Sequence, residues 1–120
     1  MAIEDRCVTI APYFKIPAGK LESFKSICEQ IVERTSKESR VLYYGFSFDG
    51  DQAHCREGFA DAEALLEHLG NVDSLFTQLL QVVDLTRLEI HAPAAELAKL
   101  RAPLEKLHPQ FFTLEYGFRR

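Results

Sequence analysis

A chain of 120 residues, 47% of them apolar, is long enough for one domain with its own core and too apolar to stay disordered. Its formal net charge is -4, and its basic clusters, Lys37 to Arg40 and Arg119 to Arg120, are short, interrupted or terminal. That balance argues against a phosphate-tracking surface, so nucleic acid is not an expected partner.

Three cysteines, Cys7, Cys28 and Cys55, form no C-x-x-C pair. They fit reduced thiols in a cytoplasm better than a disulfide framework. The N-terminal "MAIEDRCVTI" has acids where a secretory signal needs basic charge. No segment approaches the roughly 18 uninterrupted apolar residues of a membrane span, so no membrane partner is expected.

From Arg6 to Phe14, "RCVTIAPYF" is rich in β-branched and aromatic residues and predicts a strand, which "IPAGK" breaks. Between about Gly19 and Ser36, Leu21, Phe24, Ile27, Cys28, Ile31 and Val32 recur at helical spacing opposite Lys20, Glu22, Lys25, Glu29 and Glu33. An amphipathic helix covering a sheet is predicted there. "RVLYYGFSF", 40 to 48, and "AHCREGF", 53 to 59, are strands joined by the hairpin turn "DGDQ".

Asp61 is placed to cap a short helix through Leu65, Leu66 and Leu69 that Gly70 ends. A separate helix starts at Asp73 or Ser74, with Leu75, Phe76, Leu79, Leu80 and Val83 on one face. "TRLEIHA", 86 to 92, is the fourth strand. Strand, helix, strand, strand, helix, strand is the order of the split β-α-β unit, a ferredoxin-like α+β fold with helices over one face of an antiparallel sheet.

The strands carry aromatic and aliphatic residues on both sides, so the second face needs a cover. A second copy of the chain is the simplest one, and a two-fold homodimer is expected. Beyond His91, Leu97, Leu100, Leu104 and Leu107 keep helical spacing, and Pro103 should kink or divide that helix. Residues 111 to 118 alternate as a strand, expected to protect a sheet edge in its own subunit or the partner's. The whole chain therefore reads as one domain, with a core of about 6 to 92 and an extension of about 93 to 120.

Period-two alternation puts Cys55, Glu57 and Phe59 on one face of the third strand and His54, Arg56 and Gly58 on the other. Glu57 has two readings. It is either a buried carboxylate that accepts a proton or hydrogen bond from a ligand, which the resemblance given below makes a phenolic substrate, or half of a pair with Arg56, Arg87 or a tyrosine hydroxyl. Tyr43 and Tyr44 are adjacent and point to opposite faces; whichever meets a cavity can donate its O–H to a substrate oxygen, and the other packs.

His54, His68, His91 and His108 match no metal-ligand spacing, and His54 and Cys55 cannot both turn inward on a regular strand. His68 stands three residues after Leu65, on the flank of the leucine face, which suits a partly buried ring hydrogen-bonded at its edge. Cys55 has no obvious neighbouring base and reads as a buried thiol behaving as a small apolar group. The glycines form no phosphate-binding loop, so no nucleotide cofactor is expected.

Residues 6 to about 92 resemble the antibiotic biosynthesis monooxygenase family of dimeric α/β-barrels. The resemblance rests on "PAGKLESF", on "VLYYGFSFD" and above all on "EGFADAEALLEHLGNVDSLFTQL". That last stretch follows the family's order of acid, spacer, aromatic, capped helix, His-Leu and following helix. It implies a site between sheet and helices, with Cys55, Glu57 and Phe59 turned toward it and His68 beside it.

The family's strand-end aromatic, usually Trp, falls on Phe59, which keeps a ring without the indole N–H. The first-strand Asn of some oxygenases falls near Pro12, the helical His of the haem-degrading branch near Leu80, and a helix Tyr of a polyketide-oxidising branch near Leu65. Haem breakdown is therefore not implied. The resemblance points to a cofactor-independent monooxygenase-like protein acting on a small aromatic such as a quinol. In that reading Phe59 stacks, Glu57 or His68 assists the proton, and Tyr43 or Tyr44 orients the oxygen. The competing reading is a non-catalytic dimeric module that binds a small ligand or a protein, with the C-terminal extension reshaping the pocket.

Overall fold

The computed structural model describes residues 1–120. In chain order it contains β1 (Val8–Lys15), α1 (Leu21–Thr35), β2 (Val41–Asp49), β3 (Gln52–Phe59), α2 (Ala62–Leu80), β4 (Asp84–Ala92), α3 (Ala94–Leu104), a 3₁₀ turn (Glu105–Leu107) and β5 (Gln110–Thr113). The strands form one sheet in the order β2-β3-β1-β4-β5. All pairs are antiparallel except β4 with β5, which run parallel across the α3 connection. This is the α+β, ferredoxin-like arrangement that the element order predicts. No helix is long and apolar enough to cross a membrane.

The core lies between one face of the sheet and the helices. One cluster joins Val8, Ile10, Phe59 and Ile90 of the strands to Ala62 and Leu65 of α2 and to Leu97, Leu100 and Leu104 of α3. The other joins Phe14 and Ala53 to Phe24, Ile27 and Ile31 of α1 and to Val72, Leu75 and Leu79 of α2. Leu21, Val32 and Leu80, expected on apolar helix faces, are exposed because they sit at the margins of those faces. The three cysteines are buried and free, in keeping with unpaired thiols.

Pro12 is unusual for a strand paired on both sides, since it has no N–H to give the ladder. The β1–β3 ladder pairs Ile10 with Glu57 and resumes at Tyr13 with His54, without a shift of register. In the gap the Pro12 carbonyl meets the His54 ring nitrogen Nδ1 at 2.9 Å. The missing donor therefore leaves β1 in place and a pyrrolidine ring on the helix-facing side.

The two helices predicted for residues 61 to 80 are one helix. Asp61 caps it as expected, accepting from the Ala64 N–H at 2.8 Å. Gly70 does not end it. The buried positions Leu65, His68, Val72, Leu75 and Leu79 form one stripe through the glycine, and burying that stripe outweighs the roughly 1 kcal/mol that glycine costs inside a helix.

The C-terminal strand is shorter than predicted. Only Gln110–Thr113 pairs, with β4 of the same chain, although alternation continues to Phe118. After the Leu114 N–H bonds to the Ala92 carbonyl, the chain leaves the sheet and lies against the N-terminal segment, with the Ile3 N–H on the Glu115 carbonyl, the Gly117 N–H on the Met1 carbonyl and Arg119 paired with Asp5. With no ladder beside them, Tyr116 and Phe118 are exposed. Pro103 acts as expected: α3 closes one residue later and passes into the 3₁₀ turn.

Gly70 gives a test of the continuous helix. It is exposed, and a Cβ added there meets nothing within 4 Å. Gly70→Ala is expected to stabilise the protein by about 1 kcal/mol in denaturant unfolding. A loss of stability would indicate a helix break at this residue.

Candidate active site

The cavity between the sheet and the helices has a volume of about 40 Å³. Its wall is mostly aliphatic and aromatic, and a small set of polar groups converges at one end. Tyr44 of β2, Cys55 and Glu57 of β3 and His68 of α2 all reach it. Strand alternation explains the first three: Tyr44 pairs with Glu57 across the β2–β3 ladder, so both side chains stand on the same face. Helix periodicity explains His68, on the buried stripe of α2.

Glu57 is buried, and no cation faces it. Arg56 lies on the opposite side of the sheet with its guanidinium 4.8 Å from the Tyr43 ring centre, and Arg87 is engaged by Glu89 and Gln110. The arginine pairings considered for Glu57 are therefore absent. Its nearest ionisable partner is His68, whose Nε2 is 3.7 Å from Oε1, beyond hydrogen-bond length. Burial is the main reason that its pKa is pushed up to about 8; the nearby Cys55 thiol pulls it down and the Glu38 charge pushes it up. At neutral pH Glu57 is therefore a protonated acid that can give a proton.

His68 is held on its other edge. Nδ1 lies 2.9 Å from Oε2 of Glu38, in the loop between α1 and β2, and the Asn71 side-chain amide donates to the same oxygen at 3.0 Å. The ring is 1% exposed, and burial lowers its pKa below 6.5 despite the opposing pull of Glu38. At neutral pH the imidazole is thus neutral, with Nδ1–H donating to Glu38 and the Nε2 lone pair turned toward Glu57 and the cavity. Glu38, His68 and Glu57 form a carboxylate, imidazole and carboxylic acid array.

Rings fix the imidazole plane: Phe59 packs 5.0 Å from it and Tyr44 5.1 Å from it, centre to centre. Phe59 is fully buried behind His68 rather than on the cavity wall. Burial above all pushes the Tyr44 hydroxyl and the Cys55 thiol far up, so both stay protonated. Cys55 is a neutral wall group between Tyr44 and Glu57, with no thiolate character.

Tyr43 does not share this cavity. Its hydroxyl is 2.8 Å from Thr9 Oγ1 on the other face of the sheet, and its ring covers Gly58 so closely that any Cβ there would overlap it. Of the residues singled out in the sequence, Glu57, His68, Tyr44 and Cys55 come together at the cavity. Phe59 supports His68 from behind, and Tyr43 lies apart. Sequence reasoning missed Glu38, 30 residues before His68 in the polar loop "SKESR", where no spacing links the two. No group of three or more His, Cys, Asp or Glu side chains is disposed to hold a metal ion.

The buried acid implies a pH-dependent stability. In the unfolded chain Glu57 ionises near 4.5, whereas in the folded chain it keeps its proton to about 8. The folded state thus holds the extra proton between those values, and its stability falls as pH rises through that window. Glu57→Gln removes the effect. Its stability relative to the parent is expected to rise by up to ~1.4 kcal/mol per pH unit between the two values, measured by urea unfolding at pH 5 and pH 8. Equal differences at the two pH values would show that Glu57 is not held protonated.

No family model and no curated protein matches the chain. Among solved structures, MupZ from Pseudomonas fluorescens is 48% identical, with a TM-score of 0.92, over 97% of this chain and 91% of that one. SnoaB from Streptomyces nogalater, a cofactor-independent oxygenase, superposes with a TM-score of 0.60 at 13% identity, over 71% of this chain and 88% of its own. A protein from Caulobacter crescentus assigned as an antibiotic biosynthesis monooxygenase does so with a TM-score of 0.66 at 14% identity, over 72% of this chain and 88% of its own. The last two are likenesses of fold. Matched to MupZ along nearly its whole length, the chain belongs to the same family as MupZ, within the antibiotic biosynthesis monooxygenase-like fold.

Proposed function

We propose that this protein is an acid–base enzyme that uses no bound cofactor and acts on a small, mainly apolar or aromatic molecule in the sheet–helix cavity. The observation that carries the reading is the Glu38–His68–Glu57 array, which presents a neutral base and a protonated acid to one apolar cavity. A structural buried pair would neutralise itself. Here the base is oriented from outside by Glu38 and the acid has no hydrogen-bonded ionic partner, so both stay available to a ligand.

The reaction class that the fold and the array support together is oxygenation of a quinol-type aromatic. His68 Nε2 takes the phenolic proton, and Glu38 stabilises the imidazolium that results. Tyr44 and Glu57 donate to the substrate oxygens. The electron-rich anion then reduces dioxygen directly: one oxygen atom bonds to a ring carbon, the ring is oxidised to the hydroxyquinone with net loss of two hydrogens, and those hydrogens leave with the second oxygen atom as water. Phe59 keeps the imidazole in place.

The resting protonation of Glu57 favours a second reading. A carboxylic acid opposite a neutral imidazole also suits a redox-neutral proton transfer, in which Glu57 protonates a substrate oxygen while His68 removes a proton elsewhere. Dioxygen separates the two, because only the first reaction stops under anoxic conditions. A second copy of the chain over the outer sheet face, where Tyr13 stacks on His54 and His91 stacks on Phe112, remains part of the proposal.

Oxygen uptake with a set of hydroquinones tests the first reading. Turnover is expected to fall at least about 100-fold in His68→Ala and Glu57→Gln, and about tenfold in Glu38→Gln. The pH–rate profile should be bell-shaped, with the acid limb below 6.5 from His68 and the basic limb near 8 from Glu57. No uptake above background with any hydroquinone, beside a working positive control, would rule out the oxygenase. Unchanged ligand signals in both cavity variants, with only their stability altered, would show that Glu57 and His68 are structural.

A further inference from the structure

The cavity of the proposed site has two chemically different ends. Tyr44, Glu57 and His68 stand at its β2–β3 side, while Pro12 and Leu88 carry its wall across β1 and β4. From β3 to β4 is two strand spacings, roughly 10 Å. Beyond Glu57, the wall that a bound molecule would meet along the sheet is apolar.

All of the lining comes from residues before the extension except Leu107. Three features put it there. Pro103 supplies no N–H, and α3 gives way one residue later to the 3₁₀ turn, with the buried Leu104 anchoring the junction. His108, at a φ of 51°, reverses the chain in a left-handed conformation that non-glycine residues seldom adopt. The parallel ladder of β5 on β4 then pins the turn beside the β4 side of the cavity. MupZ matches 97% of this chain, so its match includes the extension.

We propose that Leu107 is the specificity-determining stop of this cavity. Its ligand is an amphiphilic small molecule whose oxygen-bearing head meets Glu57 and His68 and whose apolar body runs along the sheet to Leu107, which sets its length. The inference rests on the acid–base reading of the head end. A cavity of about 40 Å³ has room for little more than water, so a longer body enters only when a wall moves. The 3₁₀ turn is the one wall segment outside any α-helix or strand ladder, and Leu107 is only half-buried.

Calorimetric titration with a series of 4-alkylphenols, methyl to octyl, tests this. In the parent protein affinity should rise about fourfold per added CH₂ and then stop rising. Leu107→Ala is expected to move the tightest-binding member about two carbons longer, and Leu107→Phe to move it shorter. Leu100→Ala, at a fully buried core position away from the cavity, should lower stability and leave the preferred length unchanged. If every variant prefers the same length, the stop is wrong, and weaker binding by Glu57→Gln would leave the head reading intact. A length shift with unchanged binding by Glu57→Gln would support the stop and overturn the head reading. Failure of every alkylphenol to bind the parent protein would overturn the stop.

Discussion

A carboxyl group sits inside an apolar cavity with no cation opposite it, and the arrangement around Glu57 depends on that constraint. Ionising such a group in a low-dielectric interior is costly, so the folded protein keeps it protonated to about pH 8. The same burial keeps His68 neutral, and keeps Tyr44 and Cys55 in their O–H and S–H forms. Four titratable groups thus enter one cavity without a formal charge among them. The negative charge that orients the array, Glu38, stands at the rim, where Asn71 also supports it.

The array depends in turn on how firmly α2 is held. Asp61 caps its first turn and also receives Arg6 at 3.0 Å and Arg40 at 3.2 Å. Glu96 of α3, 3% exposed, reaches across to accept the Ala62 N–H at 2.9 Å. Two carboxylates therefore satisfy N–H groups that a helix start leaves open, and both suit its positive dipole end. Glu96 ties the extension to the helix that carries His68, just as Leu107 ties it to the cavity. The C-terminal segment is thus a working part of the site's architecture as well as an edge cover.

Most of the fold was legible from local pattern. The strand alternation of "AHCREGF" placed Cys55, Glu57 and Phe59 on one face, and Asp61 marked the helix start, because both signals are decided within a few residues. Gly70 misled for an instructive reason: glycine marks a helix end only when the apolar stripe also stops, and here the stripe runs through to Leu79. The tail misled in the opposite way. Its alternation continues to Phe118, but a strand needs a neighbouring edge, and β4 offers one only as far as Ala92.

By itself the sequence determined which side chains could share a face: Cys55, Glu57 and Phe59 together, Tyr43 and Tyr44 apart, His68 on the flank of its helix's leucine face. Those relations follow from the periods of strand and helix and need no distant contact. Only the tertiary structure decided what those faces meet. It set Glu38 against His68 across 30 residues, left Glu57 without an arginine, sent Tyr43 to the far side with Thr9, and brought Leu107 to the cavity wall. The physical reason is that a pKa and a cavity are properties of an enclosure. Burial and partners arise from the packing of segments far apart in the chain, and no local period encodes them.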